Sequence, residues 1–370
     1  MSGFWFGNLI CGFSNTRGLL LASRLLAGFG ASAIYALGGD VLGDLWRPEQ
    51  RGRSLGLYSL IPLLGAAVGP IAGGLIVGAT TWRWIFWSTS ILQGTMVIGS
   101  FIIKETYAAV ILEKRAFQLR RATGNDQYHC ESEMQSAGTP TSGKLRRSLT
   151  RPMRLLMFHP IIQIQACLAG LNYGVSYIVL TTYADLWTSK YGESVTISGL
   201  HYISMSLGEV LAALIGGPTM DFIYRRLSQR STSEEGRPEY HILLMLPGSV
   251  LLVSGLFMYG WAAESHAFWL VVDIGAAILS GGGTMAGQSF QAYVIDTYSE
   301  HTGSAPAATR FLRSLGAFGL PLFAPAMYSS LGYGWANSML ALVLAAFFFP
   351  AALLIWIQGR RMREKMKASY

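Results

Sequence analysis

Charge is scarce in this chain. Only 13% of its 370 residues are Asp, Glu, Lys or Arg, against 51% hydrophobic. That balance excludes a water-soluble globular domain, which needs more polar surface than this to face solvent. Cysteine is scarce too: Cys11, Cys130 and Cys167 are too few and too scattered for a disulfide framework or a metal cluster, and are read as packing residues. No Asn-X-Ser/Thr acceptor occurs, and the opening Met1-Ser-Gly-Phe-Trp-Phe-Gly carries no basic stretch ahead of its apolar run, so no cleavable leader is expected. A phosphate-cradling Gly-x4-Gly-Lys-Ser/Thr is missing, which disfavours an ATP-driven machine, and so is His-Glu-x-x-His. The six histidines fall in connections or near the ends of apolar segments, and Gly281-Gly282-Gly283 resembles a nucleotide loop only in glycine content. No enzyme activity, cofactor or metal is expected.

What the chain has instead is long apolar runs. Ten are read as helical spans: 3–14, 18–42, 54–79, 84–103, 158–183, 198–222, 241–263, 267–294, 306–331 and 334–357. Most connections are short, so neighbours should pack as antiparallel helices in an all-α polytopic bundle. The exception is the polar stretch 104–155, whose Gly138-Thr139-Pro140-Thr141-Ser142-Gly143 reads as a flexible linker. It divides an N-terminal half, 1–103, with four spans, from a C-terminal half, 156–370, with six.

The basic residues give an orientation. The net charge of +8 could point to nucleic acid, but no single basic face with interleaved aromatics is present. Instead 22 of the 28 Lys and Arg lie in alternate connections and the C-terminal tail and Arg310 and Arg313 at the same end of the ninth span, with Arg17, Arg83 and Lys190 on the other side and Arg24 inside a span. The positive-inside rule then puts the linker and C-terminus in the cytosol of a multi-pass protein, with the lipid bilayer as its partner and the plasma membrane as the expected location.

The first span has room for about a dozen residues, whereas crossing ~30 Å of hydrocarbon takes about 20. It reads either as an interfacial stub or as the remainder of a full helix, and symmetry favours the second. The third span carries Gly65, Gly69, Pro70, Gly73 and Gly74; the ninth carries Gly316, Gly319, Pro321 and Pro325. Each is the last but one helix of its half, the pattern of a repeat-built carrier. A six-helix repeat would need two helices before the present first span.

Gly65-Ala66-Ala67-Val68-Gly69-Pro70-Ile71-Ala72-Gly73-Gly74 sets glycines at four-residue spacing on one face, and Pro70 removes a helical hydrogen bond. Simple helix packing would explain a lone GxxxG; this run is longer and contains proline. It resembles the G-x-x-x-G-P-x-x-G-G signature in the fifth helix of the twelve-span fungal drug:proton antiporters of the major facilitator superfamily. Arg24-Leu25-Leu26-Ala27-Gly28-Phe29-Gly30 is similar to that family's fourth-helix motif, which implies a proton-coupling role for Arg24; Ala27 stands where the superfamily often has Gln. Asp44-Leu45-Trp46 with Glu49, Arg51 and Gly52 resembles the following loop. Gly217-Pro218-Thr219-Met220-Asp221-Phe222-Ile223-Tyr224-Arg225-Arg226 matches G-x-x-x-D-x-x-G-R-R except for Tyr224. The resemblance implies that Asp221, Arg225 and Arg226 form a charge latch; the plainer alternative is a basic anchor.

Among acids within spans, Glu209 is deepest, and it should be protonated, paired or bathed by a cavity. Proton carrier and neutral hydrogen-bonded acid are both open readings. Asp273 lies nearer one edge. Asn172, Tyr173 and Tyr177 in the fifth span, with Gln288 and Gln291 in the eighth, are the expected substrate contacts, since aromatic rings with sparse amides suit bulky amphipathic molecules. The resemblance implies a monomeric secondary transporter exporting drug-like or secondary-metabolite molecules against protons, by alternating access. The alternatives are a transport-incompetent paralogue, a gene whose start lies further upstream, or a nutrient uptake carrier of the same fold.

Overall fold

The computed structural model describes residues 2–45, 48–101, 105, 108–124, 128, 130, 150, 152–230, 237–297 and 304–367; side chains at 2, 33–60, 63, 108–109, 230, 304–306 and 364–367 lie outside the description. The described elements are helical throughout, with no strand among them. The helices are α1 Ser2–Gly12, α2 Arg17–Leu45, α3 Pro48–Ala79, α4 Arg83–Ser100, α5 Ala108–Thr123, α6 Pro160–Asp185, α7 Val195–Arg230, α8 Met245–Glu264, α9 Trp269–Thr297, α10 Ser304–Gly319 and α11 Ala324–Lys367. Each expected span overlaps one of these helices, the seventh beginning on the 3-10 turn Pro238–Leu244 and the ninth covering α10 and the start of α11; residues 102 and 103 of the fourth lie outside the described residues. The linker motif 138–143 lies outside the described residues.

Among the described residues five helical stretches are long and apolar enough to cross a membrane: Pro160–Lys190, Val195–Gln229, Pro238–Glu264, Trp269–Thr297 and Ala307–Arg363. The last holds two crossings, because Gly332 (φ 73, ψ 174) breaks α11 into 324–331 and 333–367. Large apolar side chains such as Leu207, Leu214, Ile215 and Phe222 on α7 are more than half exposed, a face that only lipid would solvate without cost.

Contacts divide the chain into two units: Met1–Gly65 with Ala72–Lys144, and Ala66–Ile71 with Leu145–Tyr370. In the first, α1 packs against α2 and α4. Trp5 Nε1 donates to the Ser90 carbonyl at 2.8 Å and Asn8 Nδ2 to Gln93 Oε1 at 3.3 Å. Backbones of α1 and α2 nearly touch: a Cβ on Gly30 would stand 2.2 Å from the Phe4 nitrogen, and one on Gly7 2.6 Å from the Ala27 nitrogen. Ala27 itself is 2% exposed. That crossing is the physical reason for the departure noted in the fourth-helix motif, since a glutamine at 27 would have to push α1 away.

In the second unit α9 is central. Its three consecutive glycines advance about 100° per residue and each meets a different helix: a Cβ on Gly281 would lie 2.9 Å from the Gly208 carbonyl of α7, on Gly282 2.3 Å from the Leu252 nitrogen of α8, and on Gly283 2.8 Å from Asn172 Oδ1 of α6. α6 in turn receives α10, where Gly316 abuts the Gly170 carbonyl. Successive helices alternate in direction, so one end of this unit carries the start of α6 and the end of α7, here called the linker side. Arg225, Arg226, Arg310, Arg313 and Arg363 belong to that end and Lys190 to the far end.

The far end is closed by Glu264. Its Oε2 accepts from the backbone nitrogens of Tyr333 (2.7 Å) and Gly334 (3.4 Å), capping 333–367, and stands 3.6 Å from Lys190 Nζ. Glu264→Ala should therefore lower stability by about 1 kcal/mol, the usual cost of a lost N-cap. Thermal unfolding of the purified protein in detergent checks it, with an unchanged midpoint as the contrary result.

Candidate functional site

The residues singled out from sequence distribute over both units. On α2 the Arg24 guanidinium is exposed and stands 4.6 Å over the Phe86 ring of α4. The backbones of Asp44 and Arg51 lie on α2 and α3, but their side chains lie outside the described residues. On α3, Gly65 and Gly69 have no heavy atom within 4 Å of where a Cβ would sit, and Gly73 faces Ile85 Cδ1 at 4.0 Å. Pro70 is half-buried and Gly74 buried. The glycine run of α3 thus fronts open space at two positions, whereas in the ninth span Gly319 is open and Gly316 is packed.

On α7, Glu209 is half-buried at mid-helix and has no hydrogen bond or ion pair among the described residues. Of the states open to a mid-span carboxyl, pairing with a described side chain is thereby excluded. α7 runs on to Arg230, so Asp221 lies more than two turns inside the helix rather than at its end. Gly217 has nothing within 4 Å of a built Cβ, and Asp221, Arg225 and Arg226 are exposed, the last 5.8 Å over Phe222. Asp221 makes no ion pair among the described residues in this conformation. Tyr224, in place of glycine, lets the helix continue and stacks on His241 at 4.6 Å and 9°.

The expected substrate contacts gather on α6 and α9. Asn172 is 6% exposed and its Nδ2 donates to the Gly283 carbonyl at 3.1 Å, leaving Oδ1 buried without a partner. Tyr173 and Tyr177, one turn apart, are both exposed, and Arg313 lies 4.1 Å over the Tyr173 ring. Gln288 is half-buried, its Oε1 3.4 Å from a Cβ built on Gly216, and Gln291 is exposed. The structure therefore brings Asn172 of α6 against α9 just before Gln288, with a spare buried acceptor and two exposed tyrosines beside it. Exposed aromatic rings with sparse amides suit an amphipathic molecule better than covalent chemistry.

Two polar clusters escaped the sequence reading. On the linker side Arg363 Nη2 lies 2.7 Å from Glu239 Oε1, and His241 Nε2 lies 2.9 Å from Asp296 Oδ2. At the far end Glu193, His201 and Asp273 meet. Tyr224, as the one departure from its motif, was a visible pointer to the first; of the second, only Asp273 was marked, as an acid within a span, and its partners were not.

A profile of the Major Facilitator Superfamily matches residues 1–321. The chain belongs to the major facilitator superfamily. It is thus an integral, multi-pass membrane transporter for small molecules and not an enzyme. It is 51% identical over 372 residues to the probable efflux pump mfs2 of Aspergillus flavus, covering 100% of this chain and 88% of that one. It is 40% identical over 370 residues to the efflux pump vrtL of Penicillium aethiopicum, covering 99% and 72% respectively. Among solved structures the fold is similar to that of a D-xylose-proton symporter, with TM-score 0.67 at 16% identity over 95% of this chain and 78% of the other. That likeness concerns the fold alone.

Proposed function

We propose that this transporter exports drug-like or secondary-metabolite molecules across the plasma membrane in exchange for protons, as a monomer with its linker and C-terminus in the cytosol. The observation that carries the reading is the identity to proteins named as efflux pumps, 51% and 40% across 100% and 99% of this chain. The intact G-x-x-x-G-P-x-x-G-G run in α3 supports it, as does the aromatic and amide surface around Asn172, Tyr173, Tyr177, Gln288 and Gln291. Arg24 and Glu209 are the coupling groups: Glu209 is a half-buried carboxyl free of described partners, so its charge state can change without breaking a local pair. The open faces of Gly65 and Gly69 leave α3 room to move against a neighbour. Asp221, Arg225 and Arg226 form their latch in the other state of the cycle, and Asp44 and Arg51 gate within the first half. Each proton entering down a 100 mV potential releases about 2.3 kcal/mol.

The test is transport of rhodamine 6G into inside-out vesicles from a yeast strain lacking its own exporters. Dye uptake should follow an imposed proton gradient, persist without ATP and vanish with a protonophore. Glu209→Gln should reduce the gradient-driven component at least tenfold. Uptake indifferent to the gradient would overturn proton coupling, and a Glu209→Gln profile matching wild type would remove Glu209 from it.

A further inference from the structure

We infer that Glu193, His201, Asp273 and Tyr183 form a proton-binding site at the far end of the second unit, with the proton held between the His201 imidazole and Glu193. The inference rests on the export reading only for the use to which the proton is put.

The geometry is a graded chain of polar atoms. Glu193, in the connection before α7, keeps 24% side-chain exposure; His201, two turns into α7, keeps 8%; Asp273 of α9 keeps 11%; and Tyr183 of α6 is fully buried. His201 Nε2 lies 2.9 Å from Glu193 Oε2 and His201 Nδ1 lies 2.8 Å from Asp273 Oδ2. The Tyr183 hydroxyl donates to Asp273 Oδ1 at 2.6 Å. Three helices and a loop thus supply one continuous path from a partly exposed carboxylate to a buried one.

Proton accounting gives the function. A neutral imidazole has one N–H and one lone pair. With Nδ1–H donated to Asp273, the Nε2 lone pair would face a Glu193 carboxylate oxygen at 2.9 Å, two acceptors in contact. One added proton turns that contact into a charge-assisted hydrogen bond. It can enter at Glu193, the exposed member, and a proton accepted at Nε2 can be matched by release from Nδ1 to Asp273, with no change in the heavy atoms. The Trp187 indole lies parallel to the imidazole, ring centres 3.6 Å apart and planes within 9°, and holds the ring so that both nitrogens stay aimed at their carboxylates. Trp269 meets the same imidazole edge-on at 6.0 Å.

The other ionisable groups nearby make no hydrogen bond to these four side chains among the described residues. Lys190 sits 3.6 Å from Glu264 and 5.0 Å from the Tyr333 ring. The Tyr202 hydroxyl donates to the Leu180 carbonyl and that of Tyr191 to the Ala267 carbonyl. Burial and the Glu193 carboxylate push the Tyr191 phenol above its ordinary value, so it stays a donor. His266 neighbours Tyr191 at 5.8 Å, and Tyr259 lies 6.0 Å from Tyr183, both ring contacts only. Two carboxylates and one imidazole therefore remain as the exchanging set.

The stacked indole supplies a readout independent of any transported molecule, because an imidazolium quenches indole emission more strongly than a neutral imidazole. With the full chain in lipid nanodiscs, the Trp187 component is the emission of wild type minus that of Trp187→Phe. It should fall sigmoidally as pH drops from about 8 to about 5, the interval in which histidine exchanges its proton. His201→Gln should abolish the transition. Glu193→Gln, at the exposed rim and the milder change, should move its midpoint by about one pH unit or more. With Trp187→Phe shown to be monodisperse by size exclusion, a flat wild-type difference signal, or a transition that survives His201→Gln, overturns the site. In the vesicle assay His201→Gln should flatten the pH dependence of rhodamine 6G uptake, and an unaltered profile would separate the site from transport. If wild type moves no dye under any gradient, the export reading falls and the fluorescence result decides the site by itself.

Discussion

Replacing Gly282 with leucine should yield no monodisperse protein. A Cβ at that position would lie 2.3 Å from the Leu252 nitrogen and 2.8 Å from the Gly248 carbonyl, and both are backbone atoms of α8 that no side-chain rotation can move. The helices must separate by more than an ångström to admit even the first carbon. Separation would also loosen α9 from α7 and α6, because Gly281 and Gly283 hold those helices at the same level. Overpacking a fitted core costs about 1–3 kcal/mol where neighbours can yield; here they are main chain, and the whole of a typical stability of about 5–15 kcal/mol is at stake. Gly217→Ala is the matched control. Its Cβ meets open space, so the helix should gain up to about 1 kcal/mol from the reduced freedom of the unfolded chain. Size-exclusion profiles of fluorescently tagged variants distinguish the two, and a normal Gly282→Leu peak would mean that the α8–α9 crossing is far softer than its geometry.

The same triplet shows where sequence reading succeeded and where it stopped. Apolar run length located the helices of both units, because that signal is local: a span must be apolar over its own length whatever it packs against. Partner identity is not local. Gly281-Gly282-Gly283 carried no message beyond glycine content until three helices were seen to touch it. His201 and Asp273 are 72 positions apart, and a histidine near a span end looks the same whether it faces lipid headgroups or two carboxylates. Ala27 was visible as a departure from its motif, but its cause, the close approach of Gly7, lies on another helix. Glu209 was legible as an acid at mid-span, since rarity alone marks it.

The linker-side cluster offers a sharper separation of charge from packing. Glu239 is buried, and Arg363 Nη2 contacts its two oxygens at 2.7 and 2.9 Å, tying the turn before α8 to the end of α11. Arg363→Met should leave a carboxylate buried without its counter-charge and destabilise by about 3 kcal/mol. That is the lower end of the usual range for a broken buried pair, because the Arg363 side chain keeps 23% exposure and water can partly replace it. The Glu239→Met, Arg363→Met double variant should recover most of the loss, since an apolar pair removes the desolvation of both ions together with their attraction. Denaturation by SDS in mixed micelles, run on the wild type, both single variants and the double, gives the coupling directly. Additive single losses would mean that the guanidinium acts through its stem against α11 and not through its charge. Recovery in the double would mean that the pair contributes little net stability, so its value to the protein lies in fixing which segment α11 ends against.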